Sequence, residues 1–200
     1  MSYVSTKPTS SGFALLLTII IIGVVQAIAL TVLSLSIKQV NLSADTRDSE
    51  SAFHAANAGL ECIRYWRRAE SETYTTGGNQ QISCFDESVP PSVRQTWTVS
   101  NENVSGNGVV HLYEYEISWG TTDTPRCSIM RFFLMNAAID GSGVTLSNIQ
   151  DPALIPGAPI NEKLCEPGGR CTLFSSQGFS RSCENIDQLG TIQREIFLEF

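Results

Sequence analysis

The chain has 200 residues and carries 13 lysines and arginines against 20 aspartates and glutamates, a formal net charge of -7. That balance excludes a protein that holds nucleic acid through bulk positive charge, and only 2 histidines are present for imidazole catalysis or metal binding. The length suits one domain plus an anchor, with enough chain after the anchor for a real core.

In chain order, residues 1–12, MSYVSTKPTSSG, form a short polar leader with one base, Lys7, and a helix-opposing Pro8. Residues 13–37, FALLLTIIIIGVVQAIALTVLSLSI, contain no charge and no proline. At about 1.5 Å per residue this stretch is long enough to cross a bilayer core as a helix. Within it Gln26 is the amide that would seek a partner in hydrocarbon, a helix-joining contact worth about 1 kcal/mol, and Gly23 would permit close helix approach. Residues 38–70 become charged but keep helical character, with Phe53, Ala56, Leu60, Ile63 and Tyr65 or Trp66 near the spacing of one apolar face. No Gly-Pro break intervenes, so a continuous rod of roughly 50 residues, about 80 Å, is expected. Lys7 ahead of the span places the N-terminus on the cytoplasmic side. Three processing fates compete for the segment: a secretory signal ending at Ala27-Ile28-Ala29, an uncleaved anchor, or cleavage at Gly12-Phe13.

Residues 71–200 read as a β-rich head outside the cytoplasm. Thr75-Thr76-Gly77-Gly78 closes the helical part, and strands are expected at 81–85, 96–100, 109–119, 127–135, 143–149, 171–178 and 193–200. The clearest is VVHLYEYEISW, residues 109–119, with Asn107-Gly108 as a hairpin signal ahead of it and 96–100 as the partner strand. A one-sided apolar sheet laid on the amphipathic helix follows. Residues 151–169, DPALIPGAPINEKLCEPGG, are the longest irregular piece, either a functional loop or an ordinary insertion.

Motifs for chemistry are missing. His54 and His111 have no carboxylate or cysteine at ligand spacing, and Cys165 and Cys171 do not make a zinc pattern. Asp140-Gly141-Ser142-Gly143 is a turn without the ligands of a calcium loop or the Lys-Ser/Thr of a phosphate loop. Glu114 and Glu116 share one strand face and read as solvated. The reading is therefore no enzyme, no cofactor and no metal site. Arg64, Tyr65, Trp66, Arg67 and Arg68 form one basic-aromatic cluster, a weak nucleic-acid or phospholipid signal, with the aromatics expected under the sheet and the arginines solvated or paired with acids.

Gly12-Phe13 followed by the apolar helix resembles the cleavage junction of type IV prepilins and of the related pseudopilins of secretion systems. Residues 47–60, RDSESAFHAANAGL, with Glu61-Cys62 after them, are similar to the end of the long helix in minor pilins of the PilX-like and GspK-like groups. The resemblance covers about the first third of the chain and implies cleavage after Gly12 by a prepilin peptidase and methylation of Phe13. It also implies assembly with other pilin subunits on an inner-membrane platform. The family usually carries glutamate at the fifth mature residue, where it neutralises a neighbour's amine; this chain has Leu17 there. A buried amine without that partner is costly, which favours a minor subunit at or near the filament tip.

The fold class expected is thus α+β and pilin-like: a long helix, membrane-spanning then amphipathic, packed against an antiparallel β-sheet head. The function expected is a structural minor subunit of a pilus or secretion filament, first single-pass in the inner membrane and later at the cell surface. The alternative is a single-pass tethered binding domain that never polymerises. Six cysteines, all after the span, fit disulfides in an oxidising compartment. Fifteen pairings are possible, and proximity in the expected fold suggests Cys62 with Cys84, Cys127 with Cys183 and Cys165 with Cys171.

Overall fold

The computed structural model describes residues 11–155 and 157–200. Leader residues 1–10 lie outside the described residues. The chain divides into two compact units, Met1–Thr46 and Arg47–Phe200, and helix α1, Ser11–Ala69, contributes to both. In the first unit every described side chain from Gly12 to Thr46 is exposed. This helix is long and apolar enough to span a membrane. Three of its hydroxyls bond back to the helix, Thr18 donating to the Leu15 carbonyl at 2.8 Å, Thr31 to Ala27 at 2.8 Å and Ser36 to Val32 at 2.9 Å. An apolar helix that turns such hydroxyls against its own backbone meets the condition for life in hydrocarbon.

The second unit is α+β, the long helix packing on antiparallel sheet. Its central sheet has five strands in the order β10-β9-β6-β5-β3. These are β3 (Val93–Trp97), β5 (Gly108–Thr121), β6 (Thr124–Ala137), β9 (Arg170–Phe179) and β10 (Gln193–Glu199). β5 and β6 form a long hairpin in register from Gly108 opposite Ala137 to Thr121 opposite Thr124. A second sheet joins β4 (Val104–Gly106), β7 (Val144–Ser147) and β8 (Glu162–Cys165) in the order β4-β7-β8, and β1 (Ile82–Cys84) pairs with β2 (Glu87–Val89). A short helix α2, Ser71–Thr75, follows α1, and a 3-10 turn lies at Cys183–Asn185.

The helix meets the sheet through small residues. Ala52, Ala55, Ala56, Gly59, Leu60 and Ile63 are the buried face, whereas Phe53 is 50% exposed and Tyr65 66% exposed. This corrects the expected face, which included Phe53 and allowed Tyr65. The reason is close approach: a Cβ on Gly178 of β9 would lie 2.1 Å from the Ala52 carbonyl oxygen and 2.2 Å from the Ala56 nitrogen. The helix backbone therefore rests almost directly on the strand backbone, and large side chains are pushed to the flanks. Ser128 of β6 locks the contact by donating from Oγ to the Ala55 carbonyl at 2.8 Å.

Further along the helix the gap widens and is filled by rings. Leu60, Ile63, Tyr74 and Ile82 pack on Tyr113, Tyr115, Ile117, Met130, Phe132, Leu134 and Phe174. Tyr113 and Phe132, opposite each other on β5 and β6, stack at 4.9 Å between centroids.

The sheet is not one-sided. Val110, Leu112, Phe133, Met135 and Leu173, from the alternate positions of the same strands, form a second core with Val104, Val144, Leu146 and Cys165 of the smaller sheet. Leu154, Ile155 and Ala158, from within the 151–169 stretch, close this core. That stretch also contains strand β8, which a reading of it as wholly irregular missed, because four prolines and three glycines mask the four residues that pair with β7. Asn107-Gly108 is likewise not a hairpin turn joining β3 to β5. It is the crossing from β4, in the small sheet, to β5, in the large one, with Asn107 N donating to the Gly143 carbonyl at 2.6 Å.

Three disulfides join Cys62 to Cys84, Cys127 to Cys183 and Cys165 to Cys171. They tie α1 to β1, β6 to the 3-10 turn, and the small sheet to the large one.

His111 shows how the end of the helical part is held. Its Nε2 donates to the Thr75 carbonyl at 3.1 Å, and its Nδ1 shares a hydrogen bond of 3.0 Å with the Thr96 hydroxyl, a group that can serve either ring nitrogen form. Gly77, at φ +73, packs on that ring, and a Cβ there would lie 2.8 Å from its Cε1. Burial pushes the His111 pKa below its ordinary value, partly offset by the Thr75 contact. With the folded-state pKa depressed, the unfolded chain takes up the proton first as pH falls, so stability is lost on acidification below about 6.5. Thermal unfolding of the wild type and His111→Gln between pH 7.5 and 5 should show a steeper acid loss in the wild type; parallel curves would remove His111 as the cause.

Candidate functional site

The expected assembly residues lie on the first unit's exposed helix. Gly12 and Phe13 are in its first turns, with Phe13 72% exposed, and Leu17 stands one turn further on, also exposed. The Gln26 amide is exposed and makes no hydrogen bond among the described residues, and a Cβ on Gly23 would meet nothing within 4 Å. The apolar side chains, from Phe13 through Ile22, Val25, Leu30 and Leu35 to Leu42, surround the helix on every side. A helix apolar all round has no polar face to give to water, so its whole circumference calls for cover by lipid or by other helices.

In the second unit the groups with chemical potential are dispersed or already engaged. His54 faces Glu50 one turn away at 3.6 Å on the exposed side of α1. They line an open groove of about 620 Å³ with Arg47, Asp123, Arg126 and Arg181. Two of its cations bond neutral groups, Arg126 Nε donating to Ser51 Oγ at 2.8 Å and Arg181 Nη1 to Gln188 Oε1 at 2.8 Å. Charges of both signs line it, and among the described residues none of its hydroxyls is hydrogen-bonded to His54.

Glu114 is not solvated, which corrects the expectation for that strand face. It pairs with Arg131 directly across the β5–β6 ladder, and Arg131 Nη1 donates to the Leu154 carbonyl at 2.8 Å. The pair thereby pins the proline-rich stretch over the second core. Glu116 remains exposed and, with Cys127 and Cys183, forms the single cluster of ligand-type atoms among the described residues. Both sulfurs are already bonded to each other, so this cluster has no thiolate to offer a metal.

Buried tyrosines also serve structure. Tyr74 and Tyr115 hydroxyls meet at 3.2 Å, Tyr115 donates to the Gln80 carbonyl at 2.8 Å and Tyr113 to Gly78 at 3.0 Å. Burial pushes Tyr74 up to about 12 and raises Tyr115 and Tyr113 as well, so all three stay protonated, with Tyr113 and Tyr115 the donors that fasten Gly78 and Gln80 and Tyr74 bonded to the Tyr115 hydroxyl.

The basic-aromatic cluster is split by the fold. Trp66 packs toward the helix-side core and donates from Nε1 to the Ser83 carbonyl at 3.0 Å, while Tyr65 faces solvent, contrary to the expectation that both aromatics lie under the sheet. Arg64 pairs with Glu61 at 2.7 Å. Arg64, Arg67 and Arg68 then line a pocket of about 260 Å³ with Thr172, Phe174 and Phe200. Sequence reasoning missed these last three, and Arg170 beside them, because they lie about a hundred positions away and β9 and β10 bring them in.

No family model, curated protein or solved structure matches the chain.

Proposed function

We propose that the protein is a structural minor subunit of a type IV pilus or related secretion filament, at or near the tip, assembled through its N-terminal helix after a prepilin peptidase removes residues 1–12. The observation that carries this reading is the uncharged helix from Phe13 to Ile37, apolar and exposed on all sides, directly after Gly12. Lipid covers that surface while the subunit waits in the inner membrane. On the assembly platform, the helices of other pilin subunits replace lipid, through van der Waals packing and through polar contacts such as one from Gln26. The three disulfides support a head that folds in an oxidising compartment, and so a final place at the cell surface. The function proposed is assembly, not catalysis.

The second reading is a membrane-tethered binding domain that does not polymerise, which retention of residues 1–12 would favour; Leu17, with no carboxylate for a neighbour's amine, belongs to the first reading as the mark of a subunit at or near the tip. Intact mass and N-terminal fragmentation of the protein extracted from membranes decides between the two. A mature chain beginning at methylated Phe13 is the expected result. A chain beginning at Met1 would leave the tether, and one beginning near Leu30 would mean a secreted domain.

A further inference from the structure

The pocket at the end of α1 gathers more positive charge than its surroundings neutralise. Arg64, Arg67 and Arg68 come from the last two turns of the helix, and Thr172, Phe174 and Phe200 complete the walls. Arg170, at the start of β9, lines an adjoining groove with Glu72 and Thr75, and its charge acts on Arg67. Of these four arginines only Arg64 has an ion-pair partner among the described residues, Glu61. Arg67 donates from Nη1 to the neutral Ser71 hydroxyl at 3.3 Å, and neither Glu70 nor Glu72 pairs with any of them.

Arg64 Nε and Arg67 Nε make no hydrogen bond among the described residues, but both nitrogens are closed to solvent and so to an anion in the pocket. What remains open to an anion is the charge of guanidinium groups that lack an acidic partner, and a charged group left without one is costly.

We propose that this pocket binds a phosphate group, held by Arg67 and Arg68 with Arg64 at its rim and Arg170 adding its charge from the adjoining groove, and that Phe200 offers an apolar wall to whatever the phosphate is attached to. Charge selects phosphate over carboxylate. Three arginines lack a counter-charge, a carboxylate neutralises one, and a phosphate monoester carries about -1.5 to -2 with three acceptor oxygens for forked guanidinium donors. Arg64 already lies over the Phe200 ring at 5.4 Å, and that ring is 58% exposed, so an organic substituent finds a surface beside the charged one.

The test uses the full chain in non-ionic detergent, titrated with inorganic phosphate, with glycerol phosphate as a soluble monoester, and with a short-chain phosphatidylglycerol as a lipid headgroup. Calorimetry and thermal shift are the readouts. Saturable binding of phosphate is expected, weakened about tenfold or more in Arg67→Gln and in Arg170→Gln, as loss of a charge-assisted contact requires. Arg68→Gln, exposed and away from the core, should weaken binding without changing the unliganded melting temperature, which separates loss of the site from loss of the fold. Arg94→Gln, on β3, should leave binding intact. Tighter binding of glycerol phosphate assigns the site to soluble esters, and tighter binding of the lipid assigns it to a headgroup. No saturable phosphate binding at millimolar concentration, or equal binding by wild type and all the arginine variants, overturns the proposal.

Discussion

Gly178→Ala should destabilise the head by about 3 kcal/mol, seen as a fall of roughly 6–12 °C in the melting temperature of the full chain. The obstacle is backbone. The new methyl would lie 2.1 Å from the Ala52 carbonyl oxygen and 2.2 Å from the Ala56 nitrogen, and neither can rotate away. The helix must lift off β9, which also stretches the 2.8 Å bond from Ser128 to the Ala55 carbonyl. Gly59→Ala, on the other side of the same interface, gives the contrast. There the Cβ meets side-chain atoms and no backbone, Ser176 Oγ at 2.8 Å, Met130 Cγ at 3.0 Å and Ser128 Cβ at 3.1 Å. Replacing glycine by alanine inside a helix returns about 1 kcal/mol of propensity, which offsets part of that crowding, so Gly59→Ala should cost clearly less than Gly178→Ala. Equal effects for the two variants would mean that the helix does not sit backbone-to-backbone on β9.

Removing the disulfides one at a time should give a ranked loss that follows the chain enclosed. Cys127 and Cys183 are 56 residues apart, Cys62 and Cys84 22, and Cys165 and Cys171 6. By chain entropy alone their removal as Cys-to-Ala pairs costs about 4, about 3 and about 2 kcal/mol respectively. Packing reinforces the order at the top. Cys127 is wholly buried with Ile129 and Phe179 in a small cluster of its own, which the Cys183 turn covers, so opening that bridge frees the turn as well. Chemical denaturation of the three double variants, without reductant, measures the series. A smaller loss at Cys127–Cys183 than at Cys165–Cys171 would show that residual structure in the unfolded chain, and not loop closure, controls these bridges.

Local pattern was enough for some of this. β5 was legible because Tyr113, Tyr115 and Ile117 alternate with Glu114, Glu116 and Ser118, and a period of two is visible in the sequence itself. The same strand misled on its other side. A one-sided sheet was expected, but Leu112, adjacent to Tyr113, belongs to the second core beneath the smaller sheet. Likewise, the alanines of α1 were visible as a motif while their use was not. Small residues at helical spacing look like a weak apolar face until a glycine more than a hundred positions away, Gly178, shows that the backbones touch. The arginine pocket was half legible, since Arg64, Arg67 and Arg68 stand together in sequence, but Thr172 and the two phenylalanines reach it only through strand pairing, which also sets Arg170 in the adjoining groove.

What the sequence alone determined is therefore what depends on neighbours in the chain: the apolar helix long enough to span a membrane, its charged continuation, the strongest strands and the α+β class. Each rests on periodicity or on a run of uniform solvent preference, properties that no distant contact has to supply. Tertiary structure decided which helical face is buried, that the sheet is covered on both sides, that the proline-rich stretch plugs a core, and where Glu114 and the four arginines find or lack their partners. Those outcomes depend on pairs of residues far apart in the chain. The energy of such a pair exists only once the fold has brought its members within packing distance.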